Sequence, residues 1–274
     1  MKKVAVINDI SGFGKCSLTV SLPILSAMGL ECNPIPTAIL SNQTGYSDFY
    51  SVDFTENMTP YIDIWKKQNV QFDAILTGYL ASDRQVDIIL DFIEHFGKNS
   101  LVFVDPVMGD GGVLYDTYND ALCEKVKKLT EKANVITPNL TELCILCGAD
   151  YNKIAKENSI EKITKIASSL LNEATKTVII TGIKINNEIT NLIVENSSTN
   201  TVKSTFLNGS YSGTGDIFSS IICGGITNGM DILSTVDLAT KFITEAIKNT
   251  PSKLDYEPDG VNFQKCLEML INAK

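Results

Sequence analysis

The stretch Leu101-Val102-Phe103-Val104-Asp105-Pro106 is a run of four apolar residues that ends at an acid and a proline. Such a short run is typical of a strand that is buried on both faces of a sheet. Similar runs recur at residues 4–8, 74–77, 135–137 and 178–181, and helical patterns lie between them at 17–28, 119–132 and 159–171. This alternation predicts an α/β fold with a largely parallel central sheet and helices on both faces.

The pattern changes after Thr181. Residues 188–195 and 201–206 predict two strands joined by the polar run 196–200, which favours an antiparallel hairpin at the sheet edge. Neither a linker-like segment nor an internal repeat interrupts the 274 residues. We therefore expect residues 1–274 to form a single three-layer domain.

Charge and composition argue against several classes of protein. The chain has 32 acidic and 23 basic residues, and its net charge of −9 disfavours binding to nucleic acid. Its apolar stretches are shorter than the about 20 residues that a membrane-spanning helix needs. The first residues lack the apolar segment and cleavage site of a signal peptide, so we expect a cytoplasmic protein.

The cysteines and the histidine point to no metal or redox centre. Seven cysteines, an odd number, indicate reduced thiols rather than a disulfide framework. Cys144 and Cys147 form a CxxC without a second pair, so we interpret them as small buried residues. His95 is the only histidine, which excludes zinc sites that need two, and it fits the end of a helix before Gly97.

Polar residues follow the predicted strands, where open α/β sheets bind their ligands. Gly12, Gly14 and Lys15 follow the first strand but fit neither a P-loop nor a dinucleotide fingerprint. The segment Gly213-Thr214-Gly215-Asp216 precedes an apolar run that predicts a buried helix, and a glycine-rich turn at a helix N-terminus is a ready anion site. Asp216 is then either a partner of the helix dipole or the base that takes a proton from an attacking hydroxyl.

Further acids lie at other strand ends. Asp105 ends a strand, Asp110 lies in a glycine-rich loop able to close over a ligand, and Glu142 follows Asn139 at a helix start. Asp105, Glu142 and Asp216 would repel one another, and Mg²⁺ carried in with a nucleotide is the economical counter-charge. Glu142 has a second interpretation as a residue that caps its own helix.

Five segments, in the same order along the chain, resemble motifs of pyridoxal kinase, the vitamin B6 kinase of the ribokinase-like superfamily. They are LSNQTGY at residues 40–46 (FSNHTGY in the family), LTGY at 76–79, VDPVMGD at 104–110 (DPVxGD), ITPN at 136–139 and GTGD at 213–216. The resemblance implies a three-layer ribokinase-like fold and the ATP-dependent phosphorylation of the 5′-hydroxymethyl group of pyridoxal, pyridoxamine or pyridoxine. It also implies a homodimer, and it leaves a monovalent-cation requirement open.

The resemblance also implies roles for individual residues. Asp216 would be the general base, and the N–H groups of Gly213, Thr214 and Gly215 would form the anion hole at the γ-phosphate. Asp105 and Glu142 would hold magnesium. The residues that would contact the nucleotide are Asp110, Asn139 and Thr181. Those that would line the ring pocket are Asp9, Thr44 and Tyr79.

The departures from the family pattern concern the substrate. Asp9 stands where many relatives have serine, Leu40 replaces a phenylalanine and Gln43 a histidine. An acid at position 9 is able to pair with a protonated ring nitrogen or an amine, which favours pyridoxamine as substrate.

Three alternatives remain to be compared with this interpretation. Hydroxymethylpyrimidine kinase shares the fold and the DPVM and ITPN segments, but its members usually have cysteine at the position of Asp216. A protein that binds pyridoxal or nucleotide without turnover is a different class, and Asp216 argues against it. A nicotinamide-dependent oxidoreductase would need the glycine fingerprint that is missing after the first strand.

Overall fold

The computed structural model describes residues 1–251 and 256–271. The strands are β1 (Lys3–Ser11), β2 (Glu31–Leu40), β3 (Ser51–Asp53), β4 (Ala74–Thr77), β5 (Leu101–Val104), β6 (Gly109–Asp110), β7 (Val113–Leu114), β8 (Val135–Ile136), β9 (Thr177–Ile185), β10 (Glu188–Glu195), β11 (Thr199–Thr205), β12 (Ser210–Tyr211) and β13 (Tyr256–Glu257). The helices are α1 (Leu18–Ala27), α2 (Thr55–Lys67), α3 (Asp83–Phe96), α4 (Asp120–Thr130), α5 (Leu140–Cys147), α6 (Tyr151–Glu157), α7 (Ile160–Ser168), α8 (Thr214–Asn228), α9 (Ile232–Lys248) and α10 (Glu268–Ile271). Short 3₁₀ turns span Gly97–Asn99 and Phe263–Cys266.

Nine strands form one sheet in the order β3-β2-β1-β4-β5-β8-β9-β10-β11. The strands from β2 to β9 in this order are parallel neighbours, whereas β3 at one edge and β10 and β11 at the other pair antiparallel. Two small pairs, β6 with β7 and β12 with β13, lie outside this sheet. The predicted α/β class is confirmed, and the two predicted edge strands pair antiparallel as β10 and β11, with β11 beginning at Thr199, inside the predicted connection 196–200.

Helices cover both faces of the sheet, and alternate residues of each strand reach opposite layers. In β1, Val4 and Val6 pack in the core beneath α1, α8 and α9, while Ala5 and Ile7 pack in the core beneath α2 to α7. A strand that is buried on both sides needs apolar residues at every position. This double burial is why the strands appear in the sequence as short continuous apolar runs.

Two elements differ from the expectation. The strand β2 was not predicted, because Pro34 and Pro36 interrupt its apolar pattern; they lie opposite Val6 and Asn8 of β1. β9 continues beyond Thr181 to residue 185 and pairs antiparallel with β10, so the edge is a three-stranded antiparallel unit rather than a two-stranded hairpin.

The chain reverses its direction across the sheet at β1. It passes over α1 to β2 on one side of β1 and reaches β4 on the other side through α2. In open α/β sheets, ligands bind outside the carboxyl ends of the strands at such a point. The register between β1 and β2 shifts between Asn8 and Ile10, so Asp9 lies at an irregularity of the kind that re-aims a side chain.

Other predictions on the helices and cysteines can be compared with this fold. The seven cysteines are free, Cys144 is buried and Cys147 is half-buried, and His95 lies in the last turn of α3. Across the described ranges 1–251 and 256–271, every helix is too short or too polar to cross a bilayer.

Candidate active site

The glycine-rich turn Gly213–Gly215 leads directly into α8. Gly213 takes the left-handed conformation, with φ of 76°, at the N-cap position of α8. The first intrahelical bond runs from the Ile217 N–H to the Gly213 carbonyl oxygen (3.0 Å). The N–H groups of the first turn have no carbonyl partner within a helix, and the positive end of the helix dipole lies beside them. An incoming phosphate would therefore find donors and a favourable potential at this turn.

Asp216 lies in that first turn, half-buried. Its Oδ1 accepts a hydrogen bond from Asn8 Nδ2 (3.0 Å), and the carboxylate also accepts one from the Ser17 backbone N–H. Burial raises the pKa of Asp216 to about 6 and the charge of Asp9 adds to this rise, while the two hydrogen bonds oppose it. A carboxylate with this pKa is ionised at neutral pH and is more basic than an exposed aspartate.

Asp105 lies beside Asp216, and Glu142 lies beside Asp105. Asp105 is buried and accepts from Thr137 Oγ1 (3.2 Å); a Cβ on Gly215 would lie 3.9 Å from Asp105 Oδ2. Burial and the charge of Asp216 raise the pKa of Asp105 to about 7. Burial and the charge of Asp105 raise the pKa of Glu142 as well. The mutual repulsion of these groups is what a bound cation would relieve.

Glu142 caps its own helix, as one of the two interpretations of this residue predicts. It forms a capping box with Asn139, in which Glu142 Oε2 accepts from the Asn139 N–H (2.8 Å) and Asn139 Oδ1 accepts from the Glu142 N–H (2.9 Å). Glu142 Oε1 accepts from the Met108 N–H (3.2 Å). Both oxygens thus hold backbone groups, and this arrangement fixes the DPVMGD segment against the start of α5.

The donor set suits Mg²⁺ that arrives with a nucleotide. Among the residues that the structure describes, no group of three or more His, Cys, Asp or Glu side chains is placed to hold a metal alone. Mg²⁺ usually takes one or two protein carboxylates and completes its shell with water and substrate phosphates. Asp105, with its oxygens next to the anion site, fits that pattern.

Asp9 is buried and held by two hydroxyl groups. Ser17 Oγ donates to its Oδ1 (2.5 Å) and Ser11 Oγ to its Oδ2 (2.9 Å). Burial raises the pKa of Asp9, and these two hydrogen bonds lower it. Ser17 has a φ of 52° and does not cap α1 with its side chain. A non-glycine residue in such a conformation costs free energy, so its contacts to both Asp9 and Asp216 must hold it there.

The other predicted ring-pocket residues differ in their surroundings. Tyr79 is half-buried and makes an edge contact with Tyr118, with ring centroids 6.2 Å apart; its pKa is raised by burial and by the charge of Asp9. Thr44 is exposed in the loop that follows β2. Its neighbour Gln43 donates to the Pro258 carbonyl oxygen (3.1 Å), which joins this loop to the C-terminal part of the chain.

The predicted nucleotide residues form a second group. Asn139, at the N-cap of α5, is the bridge partner of Thr181 within β9, and the Thr181 N–H donates to the Pro138 carbonyl oxygen (3.0 Å). Asp110 is exposed on the β6–β7 hairpin, where its Oδ1 accepts from the Gly111 N–H (2.7 Å). The Gly112 N–H of the same hairpin donates to Thr141 Oγ1 (2.9 Å), which holds the hairpin beside α5.

Sequence reasoning missed Asn8, Ser17 and Thr137. Their side chains donate hydrogen bonds to Asp216, Asp9 and Asp105, in that order. A usable signal existed for Asn8 and Thr137, because each is a polar residue at the end of an apolar strand. Ser17 gave no comparable signal, since it occupies an ordinary helix-capping position and its contacts depend on its positive φ.

Comparisons with known proteins agree with this geometry. The family model described as phosphomethylpyrimidine kinase matches residues 22–258. A candidate phosphomethylpyrimidine kinase from Bacteroides thetaiotaomicron, in a crystal form with pyridoxal, is 38% identical with a TM-score of 0.92, covering 98% of this chain and 95% of that one. Pyridoxal kinase from Lactobacillus plantarum is 27% identical with a TM-score of 0.89, covering 98% and 96%.

A relative in another bacterium is similar over most of its length. The pyridoxine/pyridoxal/pyridoxamine kinase of Bordetella avium is 26% identical over 252 residues, which are 87% of this chain and 82% of the relative. The family model spans well over half of the chain, and the sheet order and helix layers are those of a ribokinase-like fold. The chain therefore belongs to the phosphomethylpyrimidine kinase family and has the ribokinase-like α/β fold of the pyridoxal kinases.

Proposed function

We propose that this protein is a pyridoxal kinase, which transfers the γ-phosphoryl group of ATP to the 5′-hydroxymethyl group of a B6 vitamer. The observation that carries the proposal is the position of Asp216 in the first turn of α8, at the helix N-terminus and next to Asp105. The names of the relatives from Lactobacillus plantarum and Bordetella avium, and the pyridoxal of the Bacteroides crystal form, support a B6 vitamer as acceptor.

In the proposed reaction, Asp216 accepts the proton of the 5′-hydroxyl group as its oxygen attacks the γ-phosphorus. The new phosphorus–oxygen bond forms while the bond to the β-phosphate oxygen breaks, and ADP leaves. The N–H groups of Gly213, Thr214 and Gly215 stabilise the charge on the equatorial oxygens of the transferring group. A basic Asp216 and a preorganised anion hole are the two protein contributions that this chemistry requires.

The nucleotide and its cation would occupy the adjoining strand ends. Asp105 would hold Mg²⁺ directly, and Glu142, whose oxygens already accept two backbone N–H groups, would act through water. Mg²⁺ bound there would neutralise charge that develops on the phosphates. Asn139 and Thr181 would contact the phosphates, and Asp110 would approach the nucleotide from the β6–β7 hairpin.

Asp9, Thr44 and Tyr79 would line the ring pocket, and Asp9 would bias the choice of vitamer. Within the described residues, no Lys, Arg or His side chain forms an ion pair with Asp9. A buried carboxylate gains most from a cationic partner, since burial alone disfavours its charge. The protonated amine of pyridoxamine or a protonated ring nitrogen would supply that partner.

We also propose that the whole chain acts as one kinase domain in a homodimer. Phe49, Tyr50 and Val52 are exposed apolar side chains on and beside the edge strand β3, and a second copy would remove them from water. Light scattering on the purified protein tests this part of the proposal, and a mass of one chain would contradict it.

Hydroxymethylpyrimidine is the second candidate acceptor, because the matched family is described as phosphomethylpyrimidine kinase. The decisive experiment measures ATP-dependent ADP release with Mg²⁺, offering pyridoxal, pyridoxamine, pyridoxine and hydroxymethylpyrimidine at equal concentrations. We expect the B6 vitamers to react fastest. Turnover of the pyrimidine alone would overturn the ring-pocket assignment, and no turnover with any acceptor would favour a binding protein.

A further inference from the structure

Asn8 lies between the proposed base and the proposed ring pocket, and its side chain contacts both. Its Nδ2 donates to Asp216 Oδ1 (3.0 Å), while its Oδ1 accepts from the Tyr79 N–H (2.9 Å) and the Asp9 N–H (3.0 Å). The residue is buried, with 4% of its surface exposed. One amide group therefore connects the carboxylate of Asp216 to the backbone of two residues that line the pocket.

The orientation of this amide is decided by its partners. Oδ1 faces two backbone N–H groups, which are donors only, so the oxygen must point toward them. The NH₂ group is then turned to Asp216, which in its ionised form only accepts. A flipped amide would place donors against donors and an oxygen against the carboxylate. These partners therefore allow only one orientation of the Asn8 amide, in which its NH₂ group donates to Asp216.

Gly78 lies directly against the Asn8 amide. A Cβ on Gly78 would lie 2.4 Å from Asn8 Nδ2 and 2.7 Å from Asn8 Cγ. The Gly78 N–H itself donates to the Ile7 carbonyl oxygen (2.8 Å), which fixes β4 against β1 at this level. The Asn8 amide therefore lies against the glycine of the LTGY segment and donates to the carboxylate of Asp216.

We propose that Asn8 is a positioning residue for Asp216. It holds the carboxylate so that the oxygen not bonded to Asn8 points at the acceptor hydroxyl, and it sets the separation of the base from the pocket through Tyr79. This inference rests on the proposed kinase function. The physical basis is that proton transfer requires a base held at hydrogen-bond distance from its proton, and a misplacement of about 1 Å is able to cost about 100-fold in rate.

The substitution Asn8→Asp tests the donor specifically. It keeps the size of the side chain and an oxygen that accepts from the Tyr79 and Asp9 N–H groups, but it replaces the donor with an oxygen that repels Asp216. We expect kcat to fall by about 100-fold, as for a misplaced base, while KM for the vitamer and for ATP stays close to that of the wild type. A purely structural role would instead change stability and leave kcat intact.

Asn134→Asp is the matched control. Asn134 lies just before β8, at the opposite ends of the strands, and its amide also links two segments: its Oδ1 accepts from one backbone N–H, that of Val102 (2.8 Å), and its Nδ2 donates to the Ala174 carbonyl oxygen (3.5 Å) rather than to a carboxylate. We expect this variant to lose stability but to keep its kcat. If Asn8→Asp retains the kcat of this control, the inference is overturned.

Gly78→Ala is an independent variant, which leaves the Asn8 side chain chemically unchanged. Its methyl group would displace the Asn8 amide, so we expect the same fall in kcat with little change in KM. Normal kcat in Gly78→Ala together with a displaced Asn8 would contradict the proposal.

A readout without turnover separates this inference from the proposed function. Wild-type protein that fails with every acceptor would overturn the kinase assignment, and the crystal structure of Asn8→Asp would still test the positioning role. We expect the Asp216 carboxylate to leave the place it has in the wild type, and to keep that place in Asn134→Asp. An unmoved Asp216 carboxylate in Asn8→Asp would overturn the inference whatever the substrate is.

Discussion

The carbonyl oxygen of Lys15 lies where a side chain at position 213 would begin, since a Cβ on Gly213 would be 2.0 Å from it. The same oxygen lies 2.8 Å from the Cβ position of Gly260, and the Lys15 N–H donates to the Asp259 carbonyl oxygen (3.1 Å). The loop after β1 is thus held between the start of α8 and the segment 258–260. Only glycine allows the proposed anion hole to lie this close to that loop.

Gly213→Ala is therefore expected to remove most activity, because the methyl group must push the anion hole and the Lys15 loop apart. Gly229→Ala is the matched control at the other end of α8. Gly229 also has a positive φ (94°), but a Cβ there would meet nothing within 4 Å. Both variants should lose about 1 kcal/mol for the backbone conformation. Measured turnover should fall only in Gly213→Ala, and equal turnover in the two variants would contradict this account of the turn.

Asp216→Asn should stabilise the nucleotide-free protein at pH 7.5, although it removes the base. Asp216 has its pKa raised to about 6 by burial, above the value of an unfolded chain, so its ionisation costs stability above pH about 6. That cost disappears below pH about 4, where the group is protonated in both states. We expect a gain of roughly 1 to 2 kcal/mol at pH 7.5, since partial exposure reduces the full effect of the shift.

Thermal unfolding between pH 4 and 8 checks this sign. The gain of Asp216→Asn should shrink as the pH falls from about 6 to about 4. The exposed Asp91 of α3 offers a control, because Asp91→Asn replaces an acid without removing a buried charge. A gain that is independent of pH would show that the buried charge is not its cause.

Asp105→Asn should abolish the response of the protein to Mg²⁺. The pKa of Asp105 is raised to about 7 by burial and by the charge of Asp216, so a divalent cation relieves a repulsion that the folded protein otherwise carries. Millimolar Mg²⁺ added with ADP should raise the melting temperature of the wild type above its value with ADP alone at pH 8, and less so below pH 7, where protons compete for the same carboxyl group. An equal Mg²⁺ effect in Asp105→Asn would place the cation elsewhere.

Asp9→Ser should shift the substrate preference. The wild type is expected to turn over pyridoxamine faster than pyridoxal, because the buried carboxylate of Asp9 favours a cationic partner. Replacing the acid with serine should lower kcat/KM for pyridoxamine more than for pyridoxal. Matched initial rates with both vitamers decide the question, and a strong pyridoxal preference of the wild type would contradict the role of Asp9.

The sequence predicts the fold well because strands that are buried on both faces of the sheet appear in it as continuous apolar runs. The central strands, such as β5, appear as four-residue apolar runs, and the segment 213–216 marks the N-terminus of α8. β2 could not be predicted in this way. It contains Pro34 and Pro36, and proline disfavours a strand by its propensity, although the pairing of β2 with β1 tolerates both residues.

The residues that hydrogen-bond to the acids of the candidate site were harder to predict than the acids themselves. Asp105 and Asp216 each follow a recognisable signal, a strand end and a glycine-rich turn. Asn8 and Thr137 could have been found as polar residues that end apolar runs, whereas the contact of Ser17 with Asp9 depends on the register shift beside Asp9 and on the positive φ of Ser17. Such features arise from tertiary packing, which local patterns do not encode.

The central claim is that Asp216 takes the proton when a B6 vitamer is phosphorylated. Mass spectrometry of the product after incubation with Mg²⁺, ATP and each vitamer, using wild type and Asp216→Asn, tests it most directly, with nucleotide binding measured in parallel. We predict a phosphorylated vitamer from the wild type and a rate lower by about 10²- to 10⁴-fold in the variant, with nucleotide affinity retained. Equal rates of phosphorylation by the two proteins would contradict the claim.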